Sequence, residues 1–134
     1  MPGYLLDSDA VIDYLLNVSA SVALIKSLAN EGSELCTCQV VLAEVYSGVR
    51  PEERSLAETF LNALTFLPST PGIGQQAGSW RYEYARRGTA LSVPDMLIAA
   101  TAHLNNVTLV TGNKAHYPIP ELSLLSLPRR SRAK

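Results

Sequence analysis

Short apolar runs alternate with helix-periodic segments along this chain, and that alternation leaves few folds open to it. "GYLLD" (residues 3–7), "ELCTC" (34–38), "VTLVT" (107–111) and "LSLLSL" (122–127) have strand length, and "FLPS" (66–69) is a shorter candidate. A helix from about Ser8 to Leu16 follows the first run. "SASVALIKSLANEG" predicts a second, with Val22, Ile25, Leu28 and Ala29 turned inward and Gly32 as its stop. "QVVLAEVYSGV" predicts a third, ended at about Gly48. Pro51, Glu52 and Glu53 suit the first turn of a fourth, which carries Leu56, Phe60, Leu61 and Leu64. Ile73, Ala77, Trp80 and Tyr84 form one stripe at helical spacing, closed by Arg86, Arg87 and Gly88. "SVPDMLIAATAHLNN" supplies the last helix. Strands separated by helices in this way predict an α/β domain, with a mainly parallel sheet of four to five strands covered by helices on both faces.

The 134 residues suffice for one domain with a real core, placed at 1–128. Apolar residues at 47% and charged residues at 17% suit a compact chain rather than a disordered one. There is no basic n-region, and no apolar run approaches the ~20 residues that span a bilayer, so no membrane is expected and the default compartment is the cytoplasm. Cys36 and Cys38 lie two apart without a second pair, which indicates neither a disulfide framework nor a zinc site; on a strand they share one face as small hydrophobes. Net charge is −1, yet Arg129, Arg130, Arg132 and Lys134 crowd the stretch 129–134, read as a solvated, frayed tail. Residues 1–128 then carry seven cationic side chains against twelve acidic ones. Such a body argues against a protein that coats a nucleic-acid duplex. Contact with nucleic acid would fall to a local site, with cations supplied from outside the chain.

The same topology gathers acids. In a right-handed crossover the chain leaves the carboxyl edge of a strand and enters a helix running back antiparallel to it. Helix N-termini that feed parallel strands therefore lie near the carboxyl edge, where open α/β sheets bind ligands. Asp7 ends the first strand, and Glu44 lies one to two turns into the helix after the second. Asp95 sits in the first turn of the helix leading to "VTLVT", while Thr111 and Asn113 follow that strand. Glu44 shares a face with Val40, Val41 and Gly48, and Asp95 with Ile98, Ala99 and Ala102, so both are predicted to turn inward. Acids directed into one partly buried region repel each other unless a cation joins them. Oxygen-only ligands suit Mg2+ or Mn2+.

Each acid also has an ordinary structural role. Ser92-x-x-Asp95 with Pro94 reads as a capping box. Glu44 alone is a half-exposed helix acid, Asp9 complements a helix dipole, and Asp13 faces solvent. Asp7 is the hardest to explain structurally, because an acid ending a buried strand needs a partner.

Together, "YLLDSDAVIDYL", "VVLAEVYSGV" around Glu44, "SVPDMLIAATAHLNNVTLVTGN" and "HYP" resemble the PIN-domain ribonucleases, and among them the VapC-type toxins of bacterial toxin–antitoxin pairs. The resemblance implies a PIN-like three-layer α/β/α fold and a Mg2+-dependent endoribonuclease. It further implies a homodimer, held inactive by a cognate VapB-type antitoxin that covers the site. Carried over by position, Asp7, Glu44 and Asp95 match the three family acids, which hold the metal. Asn113 matches a fourth polar position that is Asp or Asn in many relatives. His116 stands where an acid is also common, which leaves the fourth carboxylate missing; Asp9, where Asn or Ser is frequent, partly compensates. On this reading Asn113 or Thr111 positions water or phosphate, and Arg86, Arg87 and Lys114 are candidate phosphate contacts. The ordinary role of each Arg, as a cation complementing a helix end or facing solvent, competes with that.

Two other readings are open at this point. "LLDSDAV" and "TLVTGN" also imitate haloacid-dehalogenase-like phosphatases, with Asp7 as nucleophile. Beyond Thr111, however, Glu121 is the sole acid, so the later acidic pair of that family is missing. The substituted fourth position also permits a PIN-like binding module with little activity that works through a partner.

Overall fold

Five strands form a single sheet in a computed structural model of the chain, which describes residues 2–128; the basic stretch 129–134 lies outside the described residues. The strands are β1 (Gly3–Leu6), β2 (Glu34–Cys38), β3 (Thr65–Leu67), β4 (Thr108–Thr111) and β5 (Leu124–Ser126). Their order is β3-β2-β1-β4-β5 and every neighbouring pair is parallel. The helices are α1 (Ser8–Leu15), α2 (Ser19–Asn30), α3 (Gln39–Gly48), α4 (Arg54–Asn62), α5 (Pro71–Arg86) and α6 (Val93–Leu104). Helices α1 to α4 connect strands progressing one way across the sheet. The chain then reverses, and α5 and α6 carry it back from β3 to β4, so right-handed crossovers put that pair on the opposite face. The α/β/α layering and the parallel sheet match the expectation from sequence.

The core explains why those runs became strands. Leu5, Leu6, Cys36, Cys38, Leu109 and Val110 are buried in the three central strands, while α6 is buried at Met96 and from Ile98 through Ala102, around most of its circumference. Both cysteines are free, and burial pushes the Cys36 thiol up to about 11. Ile73, Ala77, Trp80 and Tyr84 all lie inward on α5, as their spacing predicts. Among the described residues no single helix is long and apolar enough to cross a membrane.

Several local expectations are corrected. On α2, Ile25 and Leu28 are buried as expected, but Val22 is half-buried and Ala29 exposed, while Ser21 is buried. Leu56 is exposed because the inward stripe of α4 runs through Ala57 and Leu61, about 100° round the helix from it. Pro51–Glu53 form a separate 3-10 turn ahead of α4 rather than its first turn. The β3 strand begins at Thr65 and ends before Pro68, which lacks the N–H to continue the ladder. Asp13 does not face solvent. It is buried and accepts a 2.8 Å hydrogen bond from Ser21 Oγ, tying α1 to α2.

Candidate active site

Strand order reverses between β1 and β4, and there Asp7 meets Thr111. Leu6 is paired with Val110, and the Asp7 N–H donates to Val110 O at 3.0 Å, extending the ladder one residue beyond β1. The next step along each strand brings the two side chains together: Thr111 Oγ1 donates to Asp7 Oδ2 at 2.8 Å. This is the switch point at which open parallel sheets place ligands. Asp7 is also the N-cap of α1, its Oδ1 accepting from Ser8 N at 2.8 Å.

A second donor to Asp7 comes from Tyr117, whose hydroxyl lies 3.0 Å from Oδ2 and 3.4 Å from Asp95 Oδ1. Burial, and then the charges of Asp7 and Asp95, push ionisation of this phenol far upward, so it keeps its proton and acts as a donor. Asp95 lies in the first turn of α6, where its N–H donates to Ser92 Oγ at 3.2 Å; this is one half of the capping box read from sequence, and the Asp95 carboxylate turns to Tyr117 and His116. Its other oxygen, Oδ2, is 3.4 Å from His116 Nδ1. Glu44 joins at one remove, as Ser8 Oγ donates to Glu44 Oε1 at 2.8 Å. Glu44, Ser8, Asp7, Tyr117 and Asp95 thus form one hydrogen-bonded series. Among the described residues, no three Asp, Glu, His or Cys side chains stand close enough together to hold an ion as they are.

Asp9 reaches the same edge. Its Oδ2 accepts from Gly112 N at 2.8 Å and lies 3.3 Å from Asn113 Nδ2, while its buried Oδ1 has no hydrogen-bond partner among the described residues. Burial, then the charge of Asp7, raises its pKa to about 6, against the opposing pull of the Gly112 and Ala10 N–H groups. A Cβ at 112 would stand 2.9 Å from Asp9 Oδ2, so any larger residue there would push the Asp9 carboxylate from its present position.

Of the other candidates, Thr111 is fully buried, donating to Asp7 and accepting from Asn113 N at 3.1 Å. Asn113 and Lys114 are exposed at the exit of β4. Arg86 and Arg87 follow their ordinary role at the end of α5: Arg86 bonds and overlies Tyr82, and Arg87, the C-cap, pairs with Glu83 and overlies Tyr84. Sequence reasoning did not single out Ser8, Gly112 or Tyr117. The signal for Tyr117 was available in "HYP", a phenol just beyond the strand whose end carries Thr111.

A model of the PIN domain matches residues 4–122, and the chain belongs to the PIN-domain family. Among curated relatives, Ribonuclease VapC19 of Mycobacterium tuberculosis is 31% identical over 119 residues, 88% of this chain and 95% of that protein. Ribonuclease VapC10 of the same organism is 33% identical over 117 residues, 87% of each chain. Among solved structures, a DNA-bound VapBC from Salmonella typhimurium aligns with a TM-score of 0.83 at 24% identity, covering 96% of this chain and 100% of that one. VapBC-1 from nontypeable Haemophilus influenzae aligns at 0.80 and 21% identity, covering 93% and 98%. These structural likenesses are likenesses of fold.

Proposed function

We propose that this chain is a metal-dependent endoribonuclease, the toxin of a VapBC pair, hydrolysing RNA phosphodiester bonds with a carboxylate-held Mg2+ or Mn2+. Its partners are then the RNA substrate, a VapB-type antitoxin covering the site, and a second copy of the chain. The observation that carries the reading is the buried Asp7 at the β1/β4 switch point, connected to Asp95 through Tyr117 and to Glu44 through Ser8. Relatives named ribonucleases, similar along most of their length, support it.

The donor set fits a hard cation. It is all oxygen, and Asp9 Oδ1 is a buried acceptor without a donor among the described residues. Asp7, Asp95 and Glu44 would hold the ion. When bound, it supplies Lewis-acid polarisation of the phosphodiester and acidifies a water molecule. The chain's own residues do the rest. Thr111 holds Asp7 in orientation from the buried side, which corrects the expectation that its hydroxyl addresses substrate. Asn113 and Lys114, exposed at the same edge, would meet water or phosphate. Arg86 and Arg87 make their exposed contacts with Tyr82 and Glu83 at the C-terminal end of α5.

Partner-free protein should cut single-stranded RNA with Mg2+ or Mn2+. Asp95→Asn should abolish cleavage and leave the fold intact, because Asn keeps the backbone N–H that binds Ser92. Cleavage persisting in EDTA rejects the metal mechanism.

The spacing of the acids favours a second reading, a PIN-fold binding module acting through its partner. Mn2+ titration with thermal melting separates the two. A binding site raises stability by RT ln(1 + [L]/Kd), and a flat response supports the module.

A further inference from the structure

The Tyr117 hydroxyl touches one oxygen of each of two acids, Asp7 at 3.0 Å and Asp95 at 3.4 Å. It has a single proton to give. The shorter contact identifies Asp7 as the acceptor, so two carboxylates share one donor and Asp95 has the weaker part of it. The ring itself is 2% exposed and enters from the 3-10 turn Lys114–His116, with Tyr117 N donating to Lys114 O at 2.9 Å. Phe would fill the same space and remove the hydroxyl alone.

Orientation of Asp7 does not require this hydroxyl. Oδ1 is held by Ser8 N at 2.8 Å and Oδ2 by Thr111 Oγ1 at 2.8 Å, both shorter than the contact to Tyr117. The backbone of Asp7 is pinned by the ladder to Val110. What remains for the phenol is the space between the acids, where its hydroxyl is the one group within hydrogen-bond reach of both carboxylates among the described residues. A divalent cation joined to both acids needs that same space and supplies the same compensation more strongly.

We propose that Tyr117 is a placeholder for the cation: its hydroxyl bridges Asp7 and Asp95 when no ion is bound, and ion entry breaks at least one of the two contacts. The side chain is then a positioning residue that lowers the affinity of the site by competing for its ligands. This rests on the metal-dependent reading of the site.

The test is Tyr117→Phe, measured beside the parent by calorimetric titration with Mn2+ and by melting in EDTA. The variant should melt lower in EDTA, as its acids have lost their shared donor. It should bind Mn2+ roughly ten-fold more tightly, the equivalent of one hydrogen bond to a charged group. A merely structural tyrosine would lower the melting point without tightening the ion. Binding equal to the parent's overturns the placeholder, and weaker binding makes Tyr117 an orienting donor, as is usual around metal ligands. Either outcome leaves the metal reading standing, whereas a parent that binds no Mn2+ overturns both. If the variant fails to fold, the parent still decides: the NMR signal of the Tyr117 ring Cζ should move when Mg2+ saturates the site, and a signal that stays in place overturns the proposal.

Discussion

Two threonines on the strands that flank β1 should respond in opposite directions to the same substitution. Thr111 Oγ1 is fully buried, donates to the Asp7 carboxylate at 2.8 Å and accepts from Asn113 N at 3.1 Å. Thr37 Oγ1 is also buried, on β2, yet has no hydrogen-bond partner among the described residues. Valine matches threonine in shape and in preference for strands, so Thr→Val removes the hydroxyl and little else. At Thr111 the loss is a hydrogen bond to a charged group, about 1.5–3 kcal/mol. With an unfolding entropy of about 2.1 cal/mol/K per residue, a loss near 2 kcal/mol lowers Tm by roughly 7 °C in a chain of this length. At Thr37 the hydroxyl has been desolvated without compensation, so its replacement should be neutral or stabilise by up to about 1 kcal/mol. Thermal and urea unfolding in EDTA, followed by circular dichroism, measures both. Equal losses in the two variants would refute the reasoning, since they would mean that partnership at Asp7 adds nothing beyond the presence of a hydroxyl.

The pH dependence should carry a signature of Asp9. Its folded pKa is raised from 3.8 to about 6 by burial and by Asp7, so the folded state holds the proton more tightly than the unfolded one. The resulting stabilisation is complete below pH 3.8 and is lost as pH rises through about 6. The stability difference between parent and Asp9→Asn in EDTA should therefore shift toward the variant between about pH 4 and pH 6 and then level off; a difference that is flat with pH contradicts the burial of Asp9. Asp13→Ala should cost about 1.5–3 kcal/mol in urea unfolding, because it strands the fully buried Ser21 Oγ. Asp13→Asn, which keeps an acceptor oxygen, should cost less.

What the sequence reveals here follows from which interactions are local. "GYLLD" and "VTLVT" are continuous apolar runs with nowhere to go but a buried sheet, and both are central strands. The α5 stripe is a matter of spacing alone, and it holds at all four positions. The meeting of Asp7 with Thr111 was accessible because strand ends and helix starts in a parallel sheet share an edge whatever the side chains. Periodicity carries no information on partners that arrive from elsewhere. Asp13 reads as solvent-facing along α1, and only the packing of α2 brings Ser21 to it. Leu56 and Ala57 are adjacent, and which of them faces inward is decided by how α4 docks rather than by either residue. "HYP" places a phenol beyond β4, but the partners of Tyr117, Asp7 and Asp95, reach it only once β1, β4 and α6 have assembled around it.

Asp7 also dissolves the choice, framed by sequence, between a structural cap and a functional acid. A carboxylate has two oxygens, and here they are divided. Oδ1 accepts from Ser8 N and starts α1, while Oδ2 points to Thr111 and Tyr117 across the sheet edge. An N-capping Ser or Thr has one acceptor oxygen and could do only the first. Asn would bring an amide N–H2 against two hydroxyl donors, which would have to turn and accept instead. An acid at this strand end is therefore required twice, and the helix that it caps is what aims its second oxygen at Thr111 and at Tyr117, the hydroxyl that also lies 3.4 Å from Asp95 Oδ1.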